Sequence, residues 1–161
     1  MSEFVLVGMA DYKLCSPPDK LITLGLGSCM GVALYSEHSK WCALAHIMLP
    51  DSRKISLYEN RKKFADTCLL DMYKELKLHV GESAHFCAKI AGGARMFAYD
   101  LDNELLNINE QNIQAVHEFL KEYKISIMAE DIGKNFSRTI IFDPERAVLH
   151  IKALGIDEYE I

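Results

Sequence analysis

A mixed α/β or α+β sheet fold, with two long helices laid over sheet faces, is what this sequence predicts. Three observations lead there. The chain carries eight or so short β-prone runs, only two stretches show helical apolar spacing, and β-helix-β order covers only part of the length. That last point argues against a regular doubly wound sheet.

The elements follow in order. Residues 3–14 alternate enough, through Phe4, Val5, Leu6 and Val7, to read as a strand, and Ser16-Pro17-Pro18-Asp19 breaks it. Leu21 to Leu26 is a second strand, running into Gly25, Gly27 and Ser28. Met30 to Tyr35 and Trp41 to Leu49 are β-prone runs joined by polar Ser36-Glu37-His38-Ser39-Lys40, a hairpin signal without a turn glycine. From about Tyr58 to Leu78 the period changes. Phe64, Cys68, Leu69, Met72 and Leu76 mark one face of an amphipathic helix, with Arg61, Lys62, Lys63, Lys74 and Glu75 opposite and Gly81 ending it. His85 to Ala91 is a strand closed by Gly92-Gly93. Asn109 reads as the N-cap of a second helix with Ile113, Val116 and Leu120 as its buried stripe. Ile125–Ala129, Ser137–Phe142 and Ala147–Ala153 close the chain as strands, with Pro144 in the last turn.

The length of 161 residues fits one domain, 1–161, with a core that needs no covalent staple. The net charge of −5 gives no electrostatic basis for holding nucleic acid or an anionic membrane. The start, Met1-Ser2-Glu3-Phe4, has no basic stretch leading into an apolar run, and no apolar segment approaches the roughly 18 residues of a membrane span. A cytoplasmic protein without direct membrane insertion is expected. Five cysteines at irregular spacing (Cys15, Cys29, Cys42, Cys68 and Cys87) are no disulfide framework, and most read as small buried hydrophobes.

One cysteine stands apart. With the hairpin turn centred between Glu37 and His38, Tyr35 faces Lys40, Leu34 faces Trp41 and Cys29 faces His46. Directly opposed residues share a face with Cβ atoms about 4.5–5.5 Å apart, close enough for a thiol and an imidazole to exchange a proton. A one-residue bulge would spoil that register. Glycines flank Cys29 in Gly25-Leu26-Gly27-Ser28-Cys29-Met30-Gly31, which lets a substrate approach and lets N–H groups near Gly27 and Ser28 face a developing oxyanion. An imidazolium beside the thiol would also favour the thiolate. Cys42 shares His46's face but lies nearer the turn without glycine neighbours, and reads as packing.

Other readings compete for the same residues. Gly25-x-Gly27 lacks the third glycine of a dinucleotide loop, since Met30 stands there. Gly27-Ser28-Cys29-Met30-Gly31 has nucleophile-elbow spacing, but that fold places its acid and histidine later in a longer chain. Zinc on Cys29, Cys42 and His46 matches no ordinary structural pattern and has no evident fourth ligand. His46, between Ala45 and Ile47, could be a satisfied core residue.

Thr23-Leu24-Gly25-Leu26-Gly27-Ser28-Cys29 followed by Ala45-His46-Ile47-Met48-Leu49-Pro50 resembles the CheD family, the chemoreceptor glutamine deamidases of bacterial and archaeal chemotaxis. The resemblance extends through Val7-Gly8-Met9-Ala10-Asp11, Lys89-Ile90-Ala91-Gly92-Gly93-Ala94-Arg95-Met96-Phe97, Asn112 and Glu130-Asp131-Ile132-Gly133. It implies a layered α/β sandwich related to deamidating bacterial toxins. It implies a protein-glutamine glutaminase acting on methyl-accepting chemotaxis receptors, and often pairing with a CheC-type phosphatase. Its nucleophile falls on Cys29, its base on His46 and its orienting residue on Thr23, with no metal and no cofactor. Arg95, Met96 and Phe97 are singled out by the resemblance alone, and core packing with one surface charge is the plainer account of them. The chain departs from the family at Asn109, Lys134 and Ala147, where glycines are usual; these bear on loops and weaken the CheC expectation. Rival functions are a binding module that regulates such a phosphatase with little deamidase activity, another thiol hydrolase or transglutaminase, and a zinc-binding structural domain.

Overall fold

The computed structural model describes residues 1–54, 60–96 and 107–161. Its strands are β1 (Phe4–Leu6), β2 (Asp11–Cys15), β3 (Lys20–Leu26), β4 (Met30–Ser36), β5 (Ser39–Ile47), β6 (Phe86–Gly92), β7 (Ser126–Ile132), β8 (Arg138–Asp143), β9 (Val148–Ala153) and β10 (Ile156–Glu160). The helices are α1 (Ala65–Val80) and α2 (Ile108–Glu122). One five-stranded sheet runs β1-β3-β8-β9-β10 and the other β2-β5-β4-β6-β7. Each is mixed: β1–β3 and β6–β7 pair parallel, and the remaining pairs are antiparallel.

The layers follow from strand alternation. On one face of the second sheet Met30, Val32, Leu34, Ala43, Ala45, Ile47, Ala88 and Ile90 meet Cys68, Leu69, Met72 and Leu76 of α1 and Val116, Phe119 and Leu120 of α2. On its other face Ala33, Tyr35, Cys42, Leu44 and Ala91 meet Leu21, Leu26, Ile140, Phe142, Leu149 and Ile151 of the first sheet. The order is therefore helices, sheet, sheet, which is the layered sandwich the resemblance implied. Every residue of β4 is buried because it lies in the middle layer.

Several elements differ from the sequence reading. The expected strand 3–14 is two strands in different sheets. The chain crosses between the sheets at residues 7–10, where Val7 N–H bonds Ile22 O, Ala10 N–H bonds His46 O, and Ala10 turns through φ 56°. Asn109 is not the N-cap. Asn107 holds that position, and Asn109 is buried inside the helix with Nδ2 donating to Gly93 O at 3.2 Å. The first helix begins at Ala65, after a short 3-10 turn at Arg61–Lys63 that Asn60 caps; Tyr58 lies outside the described residues. The strand β10 had no clear sequence signal. Lys134 and Ala147, two positions where the resemblance led to an expectation of glycine, adopt left-handed backbone at φ 61° and 53°.

Candidate active site

The hairpin β4–β5 carries the candidate nucleophile and base, but not in the register expected. Ser36 faces Ser39, as the turn symmetry predicts. An irregularity between Tyr35 and Ser36 then shifts the ladder, so that Tyr35 faces Cys42 and His46 faces Gly31. Cys29 lies two residues before Gly31, just ahead of β4. The shift of two leaves the face unchanged. By alternation His46 and Cys29 belong to the same inter-sheet side without being a directly opposed pair, and Cys29 packs against the inter-sheet core there. Gly31, opposite His46, lets the first sheet pack directly against the β4 backbone. A Cβ at that position would lie 2.4 Å from Ile140 Cδ1 and 2.9 Å from Leu26 Cδ1.

His46 is fully buried, and its ring is oriented from the first sheet. Thr23 Oγ1 lies 2.7 Å from His46 Nδ1 and also donates to the carbonyl of Val7 at 2.7 Å. A hydroxyl has one proton. With that proton on Val7 O, Thr23 accepts from His46 Nδ1–H, and the neutral ring carries its lone pair on Nε2. Nε2 is buried and has no hydrogen-bond partner among the described residues. The crossing at residues 7–10 thus supplies the carbonyl that decides the tautomer.

Cys29 alone of the five cysteines is partly exposed. Its loop is fastened from three sides. Gly93 N–H bonds Cys29 O at 2.8 Å, and Ala94 N–H bonds Gly27 O at 2.8 Å. Asn112 Nδ2 reaches Ser28 O at 3.0 Å. Gly92, at φ 113°, lets Cys29 O come so close that a Cβ would stand 2.3 Å from it. Gly27 N–H is taken by Gly25 O, while the N–H groups of Ser28 and Cys29 have no partner among the described residues. Met96 closes over Gly27, its Cγ 3.2 Å from where a Cβ would sit, and is itself half-exposed; Phe97 lies outside the described residues.

Electrostatics correct one expectation. Burial lowers His46 to a pKa of about 4 and raises the Cys29 thiol above its ordinary value. Both shifts favour a neutral thiol and a neutral imidazole over a thiolate–imidazolium ion pair in the free chain. Cys42, the other thiol on this hairpin, faces Cys15 with the sulfurs 3.6 Å apart, away from His46. Among the described residues no group of three His, Cys, Asp or Glu side chains is placed to hold a metal ion.

Of the residues named from the sequence, Thr23 and His46 are in contact, while Gly27, Ser28 and Cys29 lie in the loop just ahead of β4, with Cys29 packed on the inter-sheet core. Residues the sequence did not assign to the site are Gly92, Gly93 and Asn112, which hold the cysteine loop, and Val7, whose contribution is a backbone carbonyl with no sequence signal. The arrangement can deprotonate a thiol as it attacks a carbonyl carbon and hand the proton on to a leaving group.

Residues 48–153 match the family model described as CheD chemotactic sensory transduction. The chain is 45% identical over 161 residues to the probable chemoreceptor glutamine deamidase CheD of Lachnoclostridium phytofermentans, covering all of both chains. It is 43% identical over 162 residues to the chemoreceptor glutamine deamidase CheD of Halalkalibacterium halodurans, again covering all of both. A third relative, from Syntrophomonas wolfei, is 44% identical over 98% of each chain.

Proposed function

The chain belongs to the CheD family, and on that premise we propose that Cys29, His46 and Thr23 are the working residues of a chemoreceptor glutamine deamidase. The enzyme converts receptor glutamine side chains to glutamate and releases ammonia. The observation that carries the residue assignment is the His46 ring. Its Nδ1 proton is held by Thr23, and its unpartnered Nε2 lies on the face shared with the one partly exposed thiol.

The chemistry follows in two halves. Cys29 Sγ attacks the carboxamide carbon of the glutamine as His46 Nε2 takes the thiol proton. The N–H groups of Ser28 and Cys29 are the oxyanion donors, and Gly27 contributes its bare Cα to the approach. Collapse breaks the C–N bond, and His46 returns the proton so that ammonia leaves. The product is a γ-glutamyl thioester. Water, deprotonated by His46, adds to it, and the C–S bond breaks to give glutamate and the free thiol. A neutral pair suits this sequence, because the imidazole arrives with Nε2 unprotonated and Thr23 steadies the cation that forms. Residues 1–161 act as one unit in this reading. Pairing with a CheC-type phosphatase and work in the cytoplasm belong to the proposal too, and rest on family membership alone.

The test is mass spectrometry of a chemoreceptor from the same genome after incubation with enzyme. Deamidation adds about one dalton per glutamine, whereas a transglutaminase would add the mass of an amine. Cys29→Ala should abolish the change, and His46→Gln should slow it by about 10³-fold, within the range of a general acid–base residue. An undiminished rate in Cys29→Ala would remove the thiol mechanism.

A further inference from the structure

The β4–β5 ladder ends at Met30 facing Ile47, one step short of the nucleophile. The next pair outward would be Cys29 and Met48, and it does not form. Past Ile47 the chain turns away, with the N–H groups of Met48 and Leu49 both bonding Lys63 O at 3.0 Å. The hairpin therefore frays at the point where the thiol must meet the imidazole.

Asn112 closes that gap from the helix layer. It projects from the second turn of α2 and is fully buried. Its Nδ2 donates to Ser28 O and to Met48 O, each at 3.0 Å. One acceptor immediately precedes Cys29, and the other lies two residues after His46. A single carboxamide thus takes the place of the missing rung. Its Oδ1 is buried with no partner among the described residues. The reverse orientation would aim that oxygen at two carbonyl oxygens, so the unsatisfied acceptor accompanies a geometry fixed by the two donors.

We propose that Asn112 is a positioning residue for the deamidation: it ties the cysteine loop to the exit of the histidine strand and so sets where Sγ stands relative to Nε2. The proposal rests on the Cys29–His46 reading. A misplacement on the ångström scale between reacting groups lowers the chemical rate by about 10²-fold. Substrate binding outside the loop is untouched, so the loss falls on kcat and not on KM.

The experiment measures ammonia release from the receptor by the wild-type chain, Asn112→Asp and Asn112→Ser, with Cys29→Ala as control and thermal melting to establish folding. Asn112→Asp keeps the shape but sets carboxylate oxygens against two carbonyls; Asn112→Ser keeps one donor and no charge. The expected result is a kcat lower by about 10²-fold for Asn112→Asp and an intermediate kcat for Asn112→Ser, both with wild-type KM. Where Asn112→Asp does not fold, Asn112→Ser decides. A folded variant with wild-type kcat, against an inactive Cys29→Ala, overturns the role of Asn112 and leaves the thiol mechanism standing. So does a loss that falls on KM. Release that persists in Cys29→Ala overturns both.

Discussion

Thr23 Oγ1 and His46 Nδ1 stand 2.7 Å apart, and the hydroxyl's single proton is already held by the carbonyl of Val7. This makes threonine an acceptor where many hydrolases use a carboxylate, and it fixes the ring without placing a negative charge between the sheets. Thr23→Val keeps the β-branched shape and removes the acceptor. The buried Nδ1–H then loses its partner, at about 1–3 kcal/mol, and the ring is free to place its proton on Nε2. The expected loss in kcat is about 10²-fold, smaller than for loss of a buried carboxylate, while Thr23→Ser retains most activity. Ammonia-release kinetics with both variants check this.

The neutral pair dictates a pH profile. For kcat/KM, which reports the free enzyme, the acid limb is the protonation of His46 at about 4. Burial moves the Cys29 thiol upward, so no limb from it crosses neutrality, and the profile stays flat between. A thiolate–imidazolium pair would instead lose activity as the imidazolium gives up its proton.

Stability carries the same signature with a definite sign. The unfolded histidine titrates near 6.5 and the folded one at about 4, so the unfolded chain binds the extra proton between those values. His46's contribution is complete above about 6.5 and is lost as pH falls toward about 4. Thermal melts across that window should show a decline that His46→Gln flattens.

How far these features could be read from the amino acids depends on the kind of information each needs. The helices and most strands follow from apolar period, and so does the face of each strand residue. The hairpin register does not. The turn pair Ser36–Ser39 behaves as its symmetry implies, and the irregularity at Tyr35 then moves every later pair by two. The face survives because side chains alternate with a period of two, so Cys29 and His46 still share a side although they are not directly opposed. The split of the first strand rests on Ala10 taking φ 56°, which an alanine does not advertise. The strand β10, Ile156-Asp157-Glu158-Tyr159-Glu160, is acidic and lies at a sheet edge. Its place depends on remote partners, including Tyr159 donating to Asp131. Asn112 stands out in the sequence only through family resemblance, because bridging two carbonyls is a property of the folded chain.

Gly92 offers the most local control over the nucleophile. Its backbone sits at φ 113°, and a Cβ would stand 2.3 Å from Cys29 O, the same atom that accepts from Gly93 N–H at 2.8 Å. Backbone cannot yield as a flexible side chain can, so Gly92→Ala must push the cysteine loop outward or twist β6 away from it. Either movement displaces Sγ relative to Nε2. A fall in kcat of about 10²-fold or more is expected, together with a lower melting temperature. Gly155→Ala separates the two effects. Gly155 also has a left-handed backbone, at φ 75°, but nothing lies within 4 Å of its Cβ position, and it sits in the β9–β10 turn away from Cys29. That variant carries only conformational strain of about 1–2 kcal/mol, so it should melt earlier and retain wild-type kcat. Equal activity in the two variants would mean that the close approach of Gly92 to Cys29 does not govern where the thiol stands.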